Sequence, residues 1–221
     1  MNQLRALILV LLTTSIAHAD LRYATKIDVR AGAETTAAIT AFMPPGETVT
    51  FLSNDALRIE QSKSSSQTIL LMNRDGSFLL QPDARTYVRL PDFVNLLSAT
   101  PPPTPTFRRT GEFVTLLGLK AERVELTVSI PLPTTLPGVP TVATMRGDIW
   151  LADAYRELGR TVRKAIGFVP ALPPGIEGIV LRQTLRNEQM GIEIDYKVTE
   201  LVEGPIPAEM FEVPPGYRQQ P

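Results

Sequence analysis

The sequence predicts a mainly β protein with one or two helices. Three observations predict it. Apolar and polar residues alternate with a period of two along most of the chain, short turn sequences separate the alternating stretches, and helical spacing is convincing in one segment. We expect roughly nine to eleven strands, mostly joined by short turns in an antiparallel meander.

The first nineteen residues have the three parts of a secretory signal peptide. Arg5 precedes an apolar run at residues 6–12, and the stretch ends in Ala17-His18-Ala19. This run is well short of the roughly 20 apolar residues that a membrane-spanning helix needs. We therefore expect cleavage before Asp20 and a mature periplasmic chain, residues 20–221, with no transmembrane segment. The chain has no cysteine, so we expect no lipoprotein anchor.

Composition excludes several kinds of chemistry from the mature chain. His18 is the single histidine of the sequence and belongs to the predicted signal peptide. Without histidine or cysteine, Ser-His-Asp catalysis, Cys-His catalysis and the common zinc sites are excluded. We expect no enzyme, no cofactor and no metal site. The formal net charge is −1, or −2 once Arg5 is removed, which offers nucleic acid no general attraction.

The first half of the chain reads as a series of hairpins. Leu21, Tyr23, Ile27 and Val29 fall on one face of an opening strand, and Asp75-Gly76 closes a typical hairpin turn. Five further strands are expected, at residues 47–52, 56–61, 68–72, 77–80 and 85–90. The polar cluster 62–66 has the residue types of a Ser-Lys nucleophile, but we interpret it as a loop between two strands.

A proline-rich stretch at residues 100–106 follows an expected helical turn at 92–97. It either separates two domains or crosses within one, and we expect one domain, 20–221, because similar strands resume beyond it. These strands are expected at 107–117, 120–130, 141–151, 178–186 and 191–202. The acidic pairs Glu122/Glu125 and Glu193/Asp195 lie on such strands and are interpreted as solvated surface, not as catalytic groups.

The convincing helix is predicted over residues 153–166, with Asp153 as its N-cap. Three roles stay open for it: covering the sheet, plugging an open curved sheet around an apolar cavity, or contacting a membrane through its basic face. Trp150 precedes it and is interpreted as a core residue more readily than as a ligand contact. The candidate ligand-binding residues are Trp150, Tyr155, Leu158, Val162 and Ile166.

Several segments in a fixed order resemble the bacterial family DUF4412, which is related to the periplasmic lipoprotein carrier LolA and receptor LolB. The segments are Thr86-Tyr87-Val88-Arg89-Leu90, the stretch from Gly111-Glu112 to Val124, Asp148-Ile149-Trp150-Leu151-Ala152, and Leu201-Val202-Glu203-Gly204-Pro205-Ile206-Pro207, which leads to the terminal Phe211-Glu212-Val213-Pro214-Pro215-Gly216-Tyr217. The resemblance spans most of residues 21–218. It implies an incomplete antiparallel β-barrel, covered by a helix, around a cavity that accepts acyl chains.

Two functions follow as expectations. The first is a periplasmic protein that binds a lipid, an acyl chain or a lipoprotein in an apolar half-barrel cavity. The alternative is a non-catalytic structural or interaction protein of the cell envelope, with a protein partner bound at an exposed sheet edge or along the proline-rich loops.

Overall fold

A computed structural model describes residues 20–32, 45–63, 66–90, 105–131, 142–156, 158 and 177–220. These residues form twelve strands and two single-turn 3-10 helices, Pro82–Ala84 and Ala208–Phe211. The strands are β1 (Leu21–Arg30), β2 (Gly46–Leu52), β3 (Leu57–Lys63), β4 (Ser66–Asn73), β5 (Gly76–Gln81), β6 (Thr86–Leu90), β7 (Thr106–Leu116), β8 (Leu119–Pro131), β9 (Val142–Ala152), β10 (Ile179–Asn187), β11 (Ile192–Glu203) and β12 (Arg218–Gln219).

All twelve strands belong to one open sheet, in the order β12-β6-β5-β4-β3-β2-β1-β11-β10-β9-β8-β7. The predicted mainly β, incomplete antiparallel architecture is confirmed. The expected simple meander needs correction, because β1 lies between β2 and β11 and so joins two separate meanders. In addition, β12 pairs with β6 in parallel; with only two residues, it is too short to show alternation in the sequence.

The sheet is strongly curled. Leu116 and Leu117, at the end of β7, line the same cleft as Lys26 and Asp28 of β1. Five strand-to-strand steps separate β7 from β1, which is about 24 Å across a flat sheet. A cleft shared by the two strands therefore requires the sheet to bend back on itself, as the incomplete barrel does.

The structure corrects the loop predicted at residues 62–66. Ser62 and Lys63 belong to β3 and pair with Gln67 and Ser66 of β4, so the predicted loop is too long. The backbone pairing continues through these polar residues because ladder hydrogen bonds do not depend on side-chain polarity. The predicted helical turn at 92–97 and the signal peptide lie outside the described residues.

One face of the central strands carries the main apolar cluster. It combines residues from both meanders, which ties the two halves of the chain together. Its buried members are Leu21, Tyr23, Leu52, Leu57, Ala121, Ala152, Leu158, Ile179, Leu181 and Val198. A second cluster continues it along β8–β11, with Val124, Val128 and Ile149 fully buried.

The close approach of β9 to β10 requires a glycine at position 147. A β-carbon there would lie 1.7 Å from the backbone oxygen of Thr184, which no side chain tolerates. Gly147 sits opposite Leu185 in the register. The absence of a side chain lets the two backbones approach at this point of the curled sheet.

The last residues of the chain, 204–220, pack across β3–β6; we call this segment the C-terminal strap. Phe211 of the strap is 7% exposed and packs with Leu71, Phe78 and Leu80. Two side chains of the sheet hold the strap by its backbone. The Asn73 amide donates to the carbonyl of Phe211 at 2.8 Å, and the Arg58 guanidinium donates to the carbonyl of Met210 at 3.1 Å.

The first residue of the expected mature chain anchors the start of the strap. The carboxylate of Asp20 accepts a hydrogen bond from the backbone N–H of Ile206 at 2.9 Å, and its carbonyl accepts one from Gly204 at 3.1 Å. Cleavage between Ala19 and Asp20 would leave both bonds intact. The expected cleavage site is therefore compatible with the fold.

We predict that Phe211→Ala lowers the free energy of unfolding by about 3–5 kcal/mol, because it removes a buried aromatic ring and leaves a cavity beneath the strap. Urea unfolding followed by circular dichroism measures this change. Phe107→Ala is the matched control, since Phe107 is 40% exposed on β7. Equal losses for the two variants would show that the strap does not stabilise the sheet.

Candidate ligand-binding cleft

A cleft of about 490 Å³ lies between strands β1, β10 and β11 and the turn that joins β7 to β8. Its wall combines apolar and charged residues. The lining residues are Lys26, Asp28, Leu116, Leu117, Leu181, Arg182, Asp195, Tyr196, Lys197 and Val198. The volume lies within the range of small-molecule sites, and the mixed wall suits a ligand with an apolar part and a polar part.

The turn at the mouth of this cleft has an unusual residue. Leu117 and Gly118 are its two central residues, and both have positive φ, 51° and 78°. Hairpin turns of this type favour asparagine, aspartate or glycine, and a leucine there costs roughly 1–2 kcal/mol. The Leu117 side chain is nevertheless 45% exposed. The chain therefore keeps an apolar side chain at the cleft mouth at the expense of stability.

The apolar wall of the cleft continues into the protein core. Leu181 and Val198 are buried members of the main apolar cluster, and Leu116 and Tyr196 pack against that cluster. Leu181 and Val198 are 2% and 7% exposed, whereas Leu117 is 45% exposed, so Leu117 is the apolar side chain of this wall that is open to solvent.

Three cations lie side by side at the charged part of the cleft, and we call them the cation row. Lys26 is directly opposite Lys197 in the β1–β11 pair, and Lys197 is directly opposite Arg182 in the β10–β11 pair. Trp150 of β9 lies between Arg182 and Arg123 of β8, and at the other end of the row Glu47 of β2 lies opposite Lys26. The Lys26 ammonium nitrogen lies 3.8 Å from a carboxylate oxygen of Asp28. Within the described residues, Lys197 and Arg182 have no ion-pair partner.

The two carboxylates of the cleft lie in the next row. Asp28 is directly opposite Asp195, and Asp195 accepts a hydrogen bond from the Thr184 hydroxyl at 2.8 Å. Asp195 belongs to one of the expected acidic pairs; the other three carboxylates of those pairs lie elsewhere and are bound to arginines: Glu122 to Arg109, Glu125 to Arg108, and Glu193 to both Arg30 and Arg186. Within the described part of the chain, no acidic cluster is arranged to hold a metal ion.

The candidate ligand-binding residues are placed as follows. Leu158 is 5% exposed within the main apolar cluster, and Trp150 and Tyr155 pack against that cluster from its periphery. Arg156 and Leu158 are helical, whereas Val162, Ile166 and most of the predicted helix lie outside the described residues. The structure thus brings Trp150 to the end of the cation row and places Leu158 in the core.

Sequence reasoning missed the cation row because its members lie on three strands and are separated by up to 171 positions, from Lys26 to Lys197. Each alternates with buried or half-buried neighbours, as any solvated strand residue does. One local signal was present: the pair Leu117-Gly118 occupies a turn where an apolar residue is unusual. Among the described residues, no helix is long and apolar enough to cross a membrane.

Three tyrosines near the main cluster have raised pKa values. Burial raises the pKa of Tyr23 to about 12, partly offset by a hydrogen bond with Thr50. Burial also raises the pKa of Tyr196 well above its ordinary value, with a smaller effect from Tyr23. For Tyr155, desolvation is again the larger cause, followed by its hydrogen bond with Glu203, and its pKa is about 12. All three are neutral at physiological pH.

These shifts predict alkaline destabilisation. The unfolded Tyr23 has a pKa near 10, so between pH 10 and pH 12 the unfolded state releases its proton while the folded state keeps it. Stability is therefore full below pH 10 and falls as the pH rises, by about 2 kcal/mol at pH 12 from Tyr23 alone. Urea midpoints from pH 8 to pH 12 should fall less steeply for Tyr23→Phe than for the wild type. Parallel curves would contradict the assignment.

No protein-family profile matches the chain, and no curated protein matches its sequence. Membership of DUF4412 therefore stays a prediction. Solved structures do show similarity of shape. One is an uncharacterised conserved protein from Thermus thermophilus, with 12% identity and a TM-score of 0.48, covering 92% of this chain and 91% of that chain.

Two further similar structures come from other bacteria. The MucA/MucB complex of Pseudomonas aeruginosa has 13% identity and a TM-score of 0.39, covering 86% of this chain and 54% of that chain. A domain from Vibrio parahaemolyticus named for outer membrane lipoprotein sorting has 9% identity and a TM-score of 0.28, covering 88% of this chain and 90% of that chain. These likenesses are too remote to assign a family or a function, so function is inferred from the cleft.

Proposed function

We propose that this protein is an exported binding protein of the bacterial periplasm that holds an acyl chain, of a lipid or a lipoprotein, in the cleft beside the β7–β8 turn. The observation that carries the proposal is Leu117. It is an exposed apolar side chain kept in a strained backbone conformation on the wall of the cleft.

Burial of apolar surface supplies the driving force for such binding. Each methylene group transferred from water contributes about 0.8 kcal/mol. The ligand's chain would cover Leu117, which is otherwise exposed to water. Strained backbone conformations cluster at ligand-binding and active sites, where contacts with the ligand can offset the free-energy cost of the strain.

Native mass spectrometry tests this proposal directly. We expect residues 20–221, purified from a bacterial periplasm without detergent, to carry additional mass that organic extraction removes and identifies as lipid. The same spectrum reports whether the chain begins at Asp20. A ligand-free mass that stays unchanged after exposure to phospholipid vesicles would contradict lipid binding.

A substitution at the turn separates stability from binding. We predict that Leu117→Asn raises the free energy of unfolding by about 1 kcal/mol, because Asn-Gly is the favoured pair for this turn, and reduces the lipid-bound fraction. Val202→Asn is the matched control, since Val202 is 46% exposed and does not line the cleft. A stabilised variant that retains the full lipid-bound fraction would show that Leu117 has no role in binding.

A protein partner in the cell envelope is the second candidate. Phe107 and Phe113 are 40% and 51% exposed on β7, a strand at one edge of the sheet. However, the β7–β8 register shifts between Arg109 and Phe113, and such a bulge interrupts the regular edge that strand addition requires. A lipid-free protein that co-purifies with one envelope protein, and loses it on Phe113→Ser, would favour this candidate.

A further inference from the structure

We propose that the ligand of the cleft is an anionic amphiphile, and that Lys197 and Arg182 hold its charged head. This inference rests on the proposed function and adds the chemical class of the head to it. The head is a phosphate or a carboxylate, and the same two cations would bind either one.

The first argument is the register of the cation row. Side chains directly opposite each other on antiparallel strands have β-carbons about 4.5–5.5 Å apart, and like charges in such pairs are destabilising. Two such pairs follow one another here, Lys26 with Lys197 and Lys197 with Arg182. An anion bound between them would remove the repulsion.

The second argument is the contrast with neighbouring arginines. Arg186 lies four residues after Arg182 on β10 and is paired with Glu193 at 2.9 Å. Arg123 of β8 binds Asp148 at 3.0 Å. Within the described residues, Arg182 and Lys197 have no such partner. The strands therefore neutralise these arginines outside the cleft and leave two cations available inside it.

The carboxylates of the cleft do not cancel these two cations. The Asp195 carboxylate accepts a hydrogen bond from the Thr184 hydroxyl at 2.8 Å. The Asp28 carboxylate forms an ion pair with the Lys26 ammonium group, with 3.8 Å between nitrogen and oxygen. Three cations against two carboxylates leave the cleft with one net positive charge. An anionic head is therefore preferred over a neutral or cationic one.

The geometry of the cations also fits this head. A guanidinium group binds phosphate or carboxylate through two parallel hydrogen bonds, and an ammonium group adds a compact charge. Arg182 and Lys197 are directly opposite each other, so both reach one head. Leu117 lines the same cleft with a side chain that is 45% exposed and would contact the attached chain.

A set of ligands with the same chain tests the inference. Delipidated wild-type protein, residues 20–221, is titrated with laurate, dodecyl phosphate, dodecanol and inorganic phosphate below micellar concentrations. Fluorescence of Trp150, the single tryptophan and the residue opposite Arg182, reports binding, and calorimetry confirms it. We expect laurate or dodecyl phosphate to bind about tenfold or more tightly than dodecanol, with the gap narrowing as salt increases. The tighter of the two anions identifies the head.

Variants complete the test. Arg182→Gln with Lys197→Gln should reduce the preference for the anionic ligands over dodecanol by about tenfold, whereas the control Arg186→Gln should retain the preference. Should the double variant fold poorly, the salt dependence of the wild type decides the question.

The failures are distinguishable. Equal binding of dodecanol and the two anions would overturn the inference and leave the proposed function standing. No binding of any twelve-carbon ligand would overturn both. Inorganic phosphate binding as tightly as dodecyl phosphate would show a site for a free anion and would also overturn the inference.

Discussion

The pairing of β1 with β11 is the contact on which the rest of the structure depends. Ten residue pairs join the first strand to the last long strand, from Leu21 with Glu203 to Arg30 with Glu193. Without this pairing, the chain would form two separate meanders, each with an exposed edge. The pairing creates the main apolar cluster, whose buried residues come from both meanders. Since it joins the two ends of the chain, loop-closure entropy opposes it, and it is expected to form late during folding.

Two regions of the sheet have different tasks. On β3–β6, one face receives the C-terminal strap, and Phe211 fills the space above Leu71 and Leu80. The terminal motif that carries the family resemblance therefore contributes to stability, because its aromatic and aliphatic side chains complete a core. On β1, β10 and β11, the strands carry alternating charges, most of which are neutralised by partners across the strands. The cleft is the place where this neutralisation is incomplete.

Strand positions were largely predictable because alternation reports one buried face directly. The hairpin turn at residues 73–76 was also predictable; its central residues are Arg74 and Asp75, and Gly76, with a positive φ of 137°, opens β5 opposite Asn73. Strand order was not. Nothing in the residues of β1 indicates that its partners are β2 and β11, because pairing between distant strands leaves no local pattern. The two-residue strand β12 and the continuation of β3 through Lys63 were missed for the same reason: backbone pairing decided both.

The sequence by itself determined the abundance of strands and the absence of cysteine, since these follow from periodicity and composition. Only the tertiary structure decided that Lys26, Lys197 and Arg182 lie side by side and that Leu117 stands at the mouth of the same cleft. The physical reason is that curling of the sheet brings β7 to β1. Curling depends on the packing of the whole apolar face and on the close approach at Gly147, and no short segment of sequence specifies either one.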